Sequence, residues 1–215
     1  MKGFFIFTTS VLFTGFVSAA DFNYSNYNLA IGLKPEVLKA ALTSINCAVK
    51  NGYDKSDRVA IIDFSKPSNE KRLWILDLKN GNYVLQDYVS HGVNSGNKYS
   101  YSFSNKLNSH QSSIGLFKGS ESYYGKHGYS LRLDGLENGF NSNARERSIV
   151  IHSAKYMSND FIKSNGRAGR SHGCPAVDVG VVKDVVDNLK GGQYVFKYYP
   201  DDKWLKNSSF LHCGA

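Results

Sequence analysis

The spacing of apolar positions changes twice along this chain, and each change marks a different kind of structure. Phe4 to Val17 is a mostly apolar run, preceded by Lys2 and followed by Ser18-Ala19-Ala20-Asp21. A positive residue, a short apolar core and small residues at its end describe a secretory signal peptide over residues 1–20. The run falls short of the ~20 residues that a membrane span needs, so an uncleaved anchor is the lesser alternative. No cysteine follows the small residues, which argues against lipid attachment. Residues 21–34 are polar, aromatic and Asn-rich, and predict an irregular lead-in. From Pro35 the period becomes helical: Val37, Leu38, Ala41, Leu42, Ile45 and Val49 share one face, Pro35 suits a first helical position, and Asn51-Gly52 ends the element.

The second change is to short β-type runs. Arg58 to Phe64, Arg72 to Leu78 and Tyr83 to Val89 are rich in Val, Ile, Leu and Tyr, and turn chemistry at 66–69 and 79–82 separates them. Further strands are expected at Ile114–Lys118, Tyr129–Leu133, Ser148–His152 and Gln193–Tyr199. Ser90 to His110 reads as a long functional loop, and Val179 to Leu189 as a helix. There is no linker and no internal repeat. The pattern predicts a mainly β, single domain over 35–200, with an N-terminal helix, a helix after a cysteine loop, and a C-terminal tail at 201–215.

Composition sharpens this picture in two places. Aromatic residues at 13% and 20 glycines favour strands and turns. A formal charge of +8 suits an anionic surface such as cell wall as well as it suits plain solubility. The basic residues are scattered rather than clustered, so nucleic acid is not indicated, and after signal cleavage no segment is apolar enough for stable membrane insertion. The protein is therefore expected to be exported, to a periplasm or cell envelope or beyond.

Chemistry concentrates in Gly169-Arg170-Ser171-His172-Gly173-Cys174-Pro175. A thiol beside imidazole, in a glycine-containing loop rich in backbone N–H groups, has the parts of a cysteine acyl-transfer site. The thiolate is the reactive form. His152, His172, Arg170 and the N-terminus of the following helix are candidates to favour it. Three cysteines survive export. If Cys174 must stay unpaired, Cys47 pairs with Cys213; the alternative is a buried Cys47 and a loose Cys213, and spacing leaves both open.

Ser171-His172-Gly173-Cys174, with His152-Ser153 upstream at the end of a strand, resembles the signature of the L,D-transpeptidase catalytic domain (YkuD-type) family. The resemblance extends to Asp63-Phe64-Ser65-Lys66-Pro67-Ser68, Arg72-Leu73-Trp74-Ile75-Leu76-Asp77-Leu78, Tyr88-Val89-Ser90-His91-Gly92 with Ser95-Gly96, Ser112-Ser113-Ile114-Gly115 and Tyr123-Tyr124-Gly125-Lys126-His127-Gly128. These segments are similar to the murein L,D-transpeptidase catalytic domain subgroup, over most of residues 35–200. The stretch from His152 to Ser171 is slightly long for the family motif, which suggests a longer lid, and Pro175-Ala176 departs from the pair that usually follows the cysteine.

The resemblance implies a β-sandwich-like domain acting on peptidoglycan stem peptides without a cofactor. It implies Cys174 as nucleophile, His152 as its base, the Ser153 carbonyl as the group orienting the imidazole, and the Gly173 and Cys174 N–H groups as an oxyanion hole with His172 beside it. It also makes His127 a substrate contact. Arg170 has the guanidinium to grip a stem carboxylate, and Tyr123 or Tyr124 would wall the groove. His91 is a weaker candidate for substrate contact and reads rather as a surface or turn histidine. The implied reaction releases terminal D-alanine through a thioester and forms a 3→3 cross-link; L,D-carboxypeptidase action or D-amino-acid exchange uses the same site. Zinc hydrolysis through His127, His152 and His172 lacks a recognisable ligand pattern, and a non-catalytic wall-binding protein is the remaining class.

Overall fold

The computed structural model describes residues 32–213; the expected signal peptide and nearly all of the lead-in lie outside that range. Helix α1 (Pro35–Lys50) is where the apolar period predicts it, with Val37, Leu38, Ala41, Leu42 and Ile45 all buried. The strands follow as β1 (Arg58–Asp63), β2 (Leu73–Asp77), β3 (Tyr83–Asp87), β4 (Gly115–Gly125), β5 (Gly128–Gly135), β6 (Val150–Ser153), β7 (Ala176–Val177) and β8 (Tyr194–Tyr198). Helices α2 (Asn159–Asn165), α3 (Val182–Leu189) and α4 (Asp202–Asn207) complete the fold.

The strands form one sheet in the order β3-β2-β1-β8-β4-β5-β6-β7. Two of its pairings are parallel, β1 with β8 and β6 with β7; the rest are antiparallel. Helix α3 packs against β5, β6 and also β1, three strands that are not all neighbours in the sheet. The sheet therefore curls around α3, giving the sandwich-like, mainly β domain expected.

Several elements differ from the sequence reading. Strand β4 runs to Gly125 because a bulge between Gly119 and Ser122 keeps it paired with β5 as far as a two-residue turn, Lys126-His127. The 154–170 segment contains the unforeseen α2, capped by the Ser158 hydroxyl on the Phe161 N–H. It has a small core of its own: Met157, Ile162, Ala168 and Ala176, with Tyr88 and Tyr156 against them. A short strand, β7, comes between Cys174 and the expected helix, which starts three residues later than expected as α3 at Val182.

Residues 201–213 are not a loose tail. Asp201 caps α4 through the Trp204 N–H, Trp204 and Phe210 are buried, and Cys213 forms a disulfide with Cys47 on α1. Glu137 ties this segment to the sheet. Its carboxylate is buried and accepts the Leu116 N–H (2.6 Å), the Trp204 indole N–H (2.9 Å) and the Ser208 hydroxyl (2.6 Å). Burial pushes its pKa up, and those three donors pull it back. Glu137→Ala would strand all three donors in the interior, at about 1–3 kcal/mol for each unsatisfied group. We expect the urea unfolding midpoint to fall accordingly; an unchanged midpoint would show that water can reach these groups.

Candidate active site

Two neighbouring strands bring the site together. His152 lies on β6 opposite Ala176 on β7, in parallel register. The chain thus places Cys174 two residues before the partner of His152. Both side chains line a cleft of about 470 Å³, together with Tyr123, Lys126, His127, Arg147, Ser148, Val150, Tyr156, Arg170, Ser171 and His172.

Cys174 is the free cysteine and is half-buried. Its Sγ accepts the Val150 N–H at 3.4 Å and lies 3.6 Å from the Ser148 carbonyl oxygen. Burial raises its pKa, while the Val150 N–H and the charges of Lys197, Arg147 and Lys126 oppose that rise. The groups opposing that rise are thus three side-chain charges and one amide, and α3 starts only at Val182.

The His152 ring Nδ1 is 2.9 Å from the Ser153 carbonyl oxygen. A carbonyl only accepts, so Nδ1 carries the proton and Nε2 is left as the basic nitrogen. Burial holds the His152 pKa below the ordinary histidine value; the Ser153 contact opposes this, and the His127 and Lys126 charges reinforce it. At neutral pH the pair is therefore thiol and neutral imidazole. His127, at the tip of the β4–β5 turn, sets its ring 4.6 Å from that of His152, tilted by 32°. The Ser153 hydroxyl fixes that tip by donating to the His127 carbonyl at 3.0 Å.

The cysteine loop is held by Ser171. Its hydroxyl donates to the Cys174 carbonyl (2.6 Å) and accepts the Gly173 N–H (3.1 Å). The Gly173 N–H is therefore already engaged, contrary to its expected place in an oxyanion hole. No hydrogen bond within the described residues uses the His172 or Cys174 N–H, so these two donors are the ones available to an oxyanion. Gly173 has φ +115°, and a Cβ there would lie 2.6 Å from the Gln111 carbonyl oxygen, so only glycine fits.

The remaining expected residues divide. His172 is exposed at the cleft and stacks on His110, with centroids 4.2 Å apart. Arg170 borders the cleft but donates to the Gly96 carbonyl at 3.1 Å, strapping the 93–96 turn to the cysteine loop. Tyr124 is 83% exposed and stacks on Tyr129, away from the cleft; Tyr123, one residue earlier and so on the opposite face of the strand, lines it instead. His91 is not at a surface turn. It is fully buried, its Nδ1 2.8 Å from Arg72 Nη2. Burial and Arg72 pull its pKa down to about 3, so it stays neutral and accepts from the guanidinium. Its carbonyl accepts the Ser171 N–H at 3.0 Å, which makes the Arg72–His91 pair a buttress for the cysteine loop.

Sequence reasoning missed Arg147, Lys126 and Tyr156, which line the cleft. Arg147 donates to the carbonyls of Ser104 (2.7 Å) and Gln111 (2.5 Å), holding the long loop beside the cysteine. Its only sequence signal is its position just before the strand that carries His152. Among the described residues there is no group of histidines, cysteines and carboxylates suited to a metal, and no helix long and apolar enough to cross a membrane.

A family profile described as L,D-transpeptidase catalytic domain matches residues 30–198. No curated protein matches significantly. Similar solved structures include an L,D-transpeptidase from Mycobacterium smegmatis (13% identity, TM-score 0.43, 67% of this chain and 59% of that one). Another is an L,D-transpeptidase from Stackebrandtia nassauensis (15%, 0.41, 76% and 67%). A third is the helical cell shape determining protein Pgp2 from Campylobacter jejuni (10%, 0.46, 74% and 56%). The chain thus spans between about half and two thirds of the length of these structures.

Proposed function

The chain belongs to the L,D-transpeptidase catalytic domain family, and from that premise we propose that it is a cysteine acyltransferase of peptidoglycan stem peptides with Cys174 as nucleophile. One observation carries this reading: the free thiol shares a cleft with an imidazole whose Nδ1 is taken by the Ser153 carbonyl, leaving Nε2 as a base. Cys174 Sγ attacks the carbonyl carbon between the third stem residue and the terminal D-alanine. His152 Nε2 takes the thiol proton as the S–C bond forms. The His172 and Cys174 N–H groups receive the oxyanion. When the C–N bond breaks, His152 returns the proton to the departing D-alanine amine, and a thioester stays on Cys174. An amine from the third residue of a neighbouring stem then attacks the thioester, giving a 3→3 cross-link and restoring the thiol.

Lys126, Arg147 and Arg170 make the cleft margin basic, which favours a stem carboxylate. Export to the cell envelope agrees with the Cys47–Cys213 disulfide, since such bonds persist in oxidising compartments. The test is incubation with a disaccharide-tetrapeptide followed by mass analysis of the products. A dimer lacking one D-alanine is expected. Tripeptide alone would make water the acceptor and the enzyme a carboxypeptidase; intact substrate would overturn the acyltransferase reading.

A further inference from the structure

A second cavity opens beside the cleft, and the reaction above assigns it nothing. It holds about 300 Å³ and shares Arg147, Ser148 and His172 with the cleft. The stacked His110–His172 pair, with ring centroids 4.2 Å apart, forms part of its wall. Ser148 sets it next to the nucleophile, since the Ser148 carbonyl oxygen lies 3.6 Å from Cys174 Sγ. Among the described residues, the non-glycine positions with left-handed backbone are Asn108 (φ 54°), His110 (φ 53°) and Ser148 (φ 53°), and all of them line this cavity. Such conformations are costly and persist only where the surroundings hold them, so the shape of the cavity is built by the fold.

Charge distinguishes the two cavities. The cleft is lined by Lys126, Arg147 and Arg170 and by no carboxylate. That suits an anionic donor stem and repels an acceptor amine, which at neutral pH arrives as its ammonium form. Glu146 supplies what the cleft lacks. It lines the side cavity, is exposed, and its carboxylate has no hydrogen-bond or ion-pair partner among the described residues. The adjacent Arg145 is taken by Glu121 and Asp134. Arg147 lines the same cavity, and its guanidinium meets only uncharged acceptors, the Ser104 and Gln111 carbonyls and the Ser109 hydroxyl.

We propose that the side cavity is the acceptor subsite, where Glu146 and Arg147 bind an α-amino-acid head: an ammonium and a carboxylate on one carbon. The proposal rests on Cys174 forming a thioester. The head is either a free amino acid or the end of a neighbouring stem's third residue; a plain alkyl amine would satisfy Glu146 alone. His152, having returned its proton to the D-alanine amine, takes a proton from the bound ammonium. The neutral nitrogen attacks the thioester carbon, a C–N bond forms and the C–S bond breaks. Of the ammonium protons, one stays on the new amide, one restores the thiol and one passes to solvent.

The partition of the thioester between amine and water tests this, because a ratio of products cancels any change in acylation. With tetrapeptide as donor and D-norleucine as acceptor, Glu146→Gln should raise the amine concentration for half-maximal exchange by about tenfold, the worth of one charge-assisted hydrogen bond. Glu146→Asp should recover part of that loss. Pentylamine, the same chain without the carboxylate, should need about tenfold more than D-norleucine in the wild type. Equal partition in Glu146→Gln and wild type overturns the subsite, and pentylamine accepted as readily as D-norleucine overturns the amino-acid head. A tetrapeptide whose third residue ends in such a head, used as the only acceptor, identifies the source. A matching drop in the ratio of dimer to tripeptide means that the head arrives on a stem; a drop confined to D-norleucine assigns the cavity to free amino acids. A second measurement needs no turnover. In Cys174→Ser, D-norleucine should shift the His110 and His172 ring resonances in proton NMR, and Glu146→Gln added to that variant should abolish the shift. An absent shift, or one that survives Glu146→Gln, overturns the proposal. A wild type that releases no D-alanine would overturn the acyltransferase reading, while this titration would still decide the cavity.

Discussion

Cys174→Ser is expected to fold and to release no measurable D-alanine, a loss on the order of 10⁴–10⁶-fold, as for removal of other covalent nucleophiles. The serine hydroxyl can occupy the thiol's half-buried place without strain. It cannot use the thiol's chemistry. His152 is already a weaker base than an exposed histidine because burial lowers its pKa, and an alcohol is far harder to deprotonate than a thiol. Intact-protein mass spectrometry with a carbapenem, a strained cyclic amide, gives the direct readout. The wild-type protein should gain a single adduct and Cys174→Ser none. An adduct on the variant would move the nucleophile elsewhere, and no adduct on the wild type together with no turnover of tetrapeptide would remove acyl transfer altogether.

His152→Ala is the second large effect. At neutral pH we expect a loss of about 10²–10⁴-fold in D-alanine release, the usual worth of a positioned general base. The deficit should shrink in strong alkali, where solvent hydroxide ionises Cys174 unaided. The acid side is specific too. Attack needs neutral imidazole, and the His152 pKa lies below the ordinary histidine value. Wild-type activity should therefore persist below the usual histidine midpoint of about 6.5 and vanish as pH falls through the lowered folded-state value. Initial rates across pH check both limbs. His127 is the rival base, because its ring lies 4.6 Å from that of His152. It is exposed, and no carbonyl orients its ring. Full activity in His152→Ala, with the loss appearing in His127→Ala, would reverse the assignment.

The parts of the fold that the sequence reveals are those whose period is set by one buried face. Helix α1 and strands β1, β2 and β8 read directly because each packs a continuous apolar surface. Helix α2 buries only Ile162 within its span, so no period could announce it. Helix α4 exists through Trp204 and its bond to Glu137, a residue that looks like turn chemistry in Leu136-Glu137-Asn138-Gly139. The site divides in the same way. Cys174, His152 and Gly173 stand out as candidates by their own spacing. The burial of Lys197 is not legible either, since a lysine inside Tyr-Val-Phe-Lys-Tyr reads as a side chain reaching for solvent. His91 and the Gly173 N–H depart from the sequence expectation because their partners, Arg72 and the Ser171 hydroxyl, are matters of tertiary contact and loop closure.

The sheet order has a consequence for how the chain comes to be assembled. Strands β1–β3 and β4–β7 share no strand pairing except through β8, which lies between β1 and β4 and is the last strand made. A chain emerging from its N-terminus therefore builds two half-sheets, each with a raw inner edge open to wrong partners. A chain stopped before Tyr194 would leave the inner edges of both halves exposed.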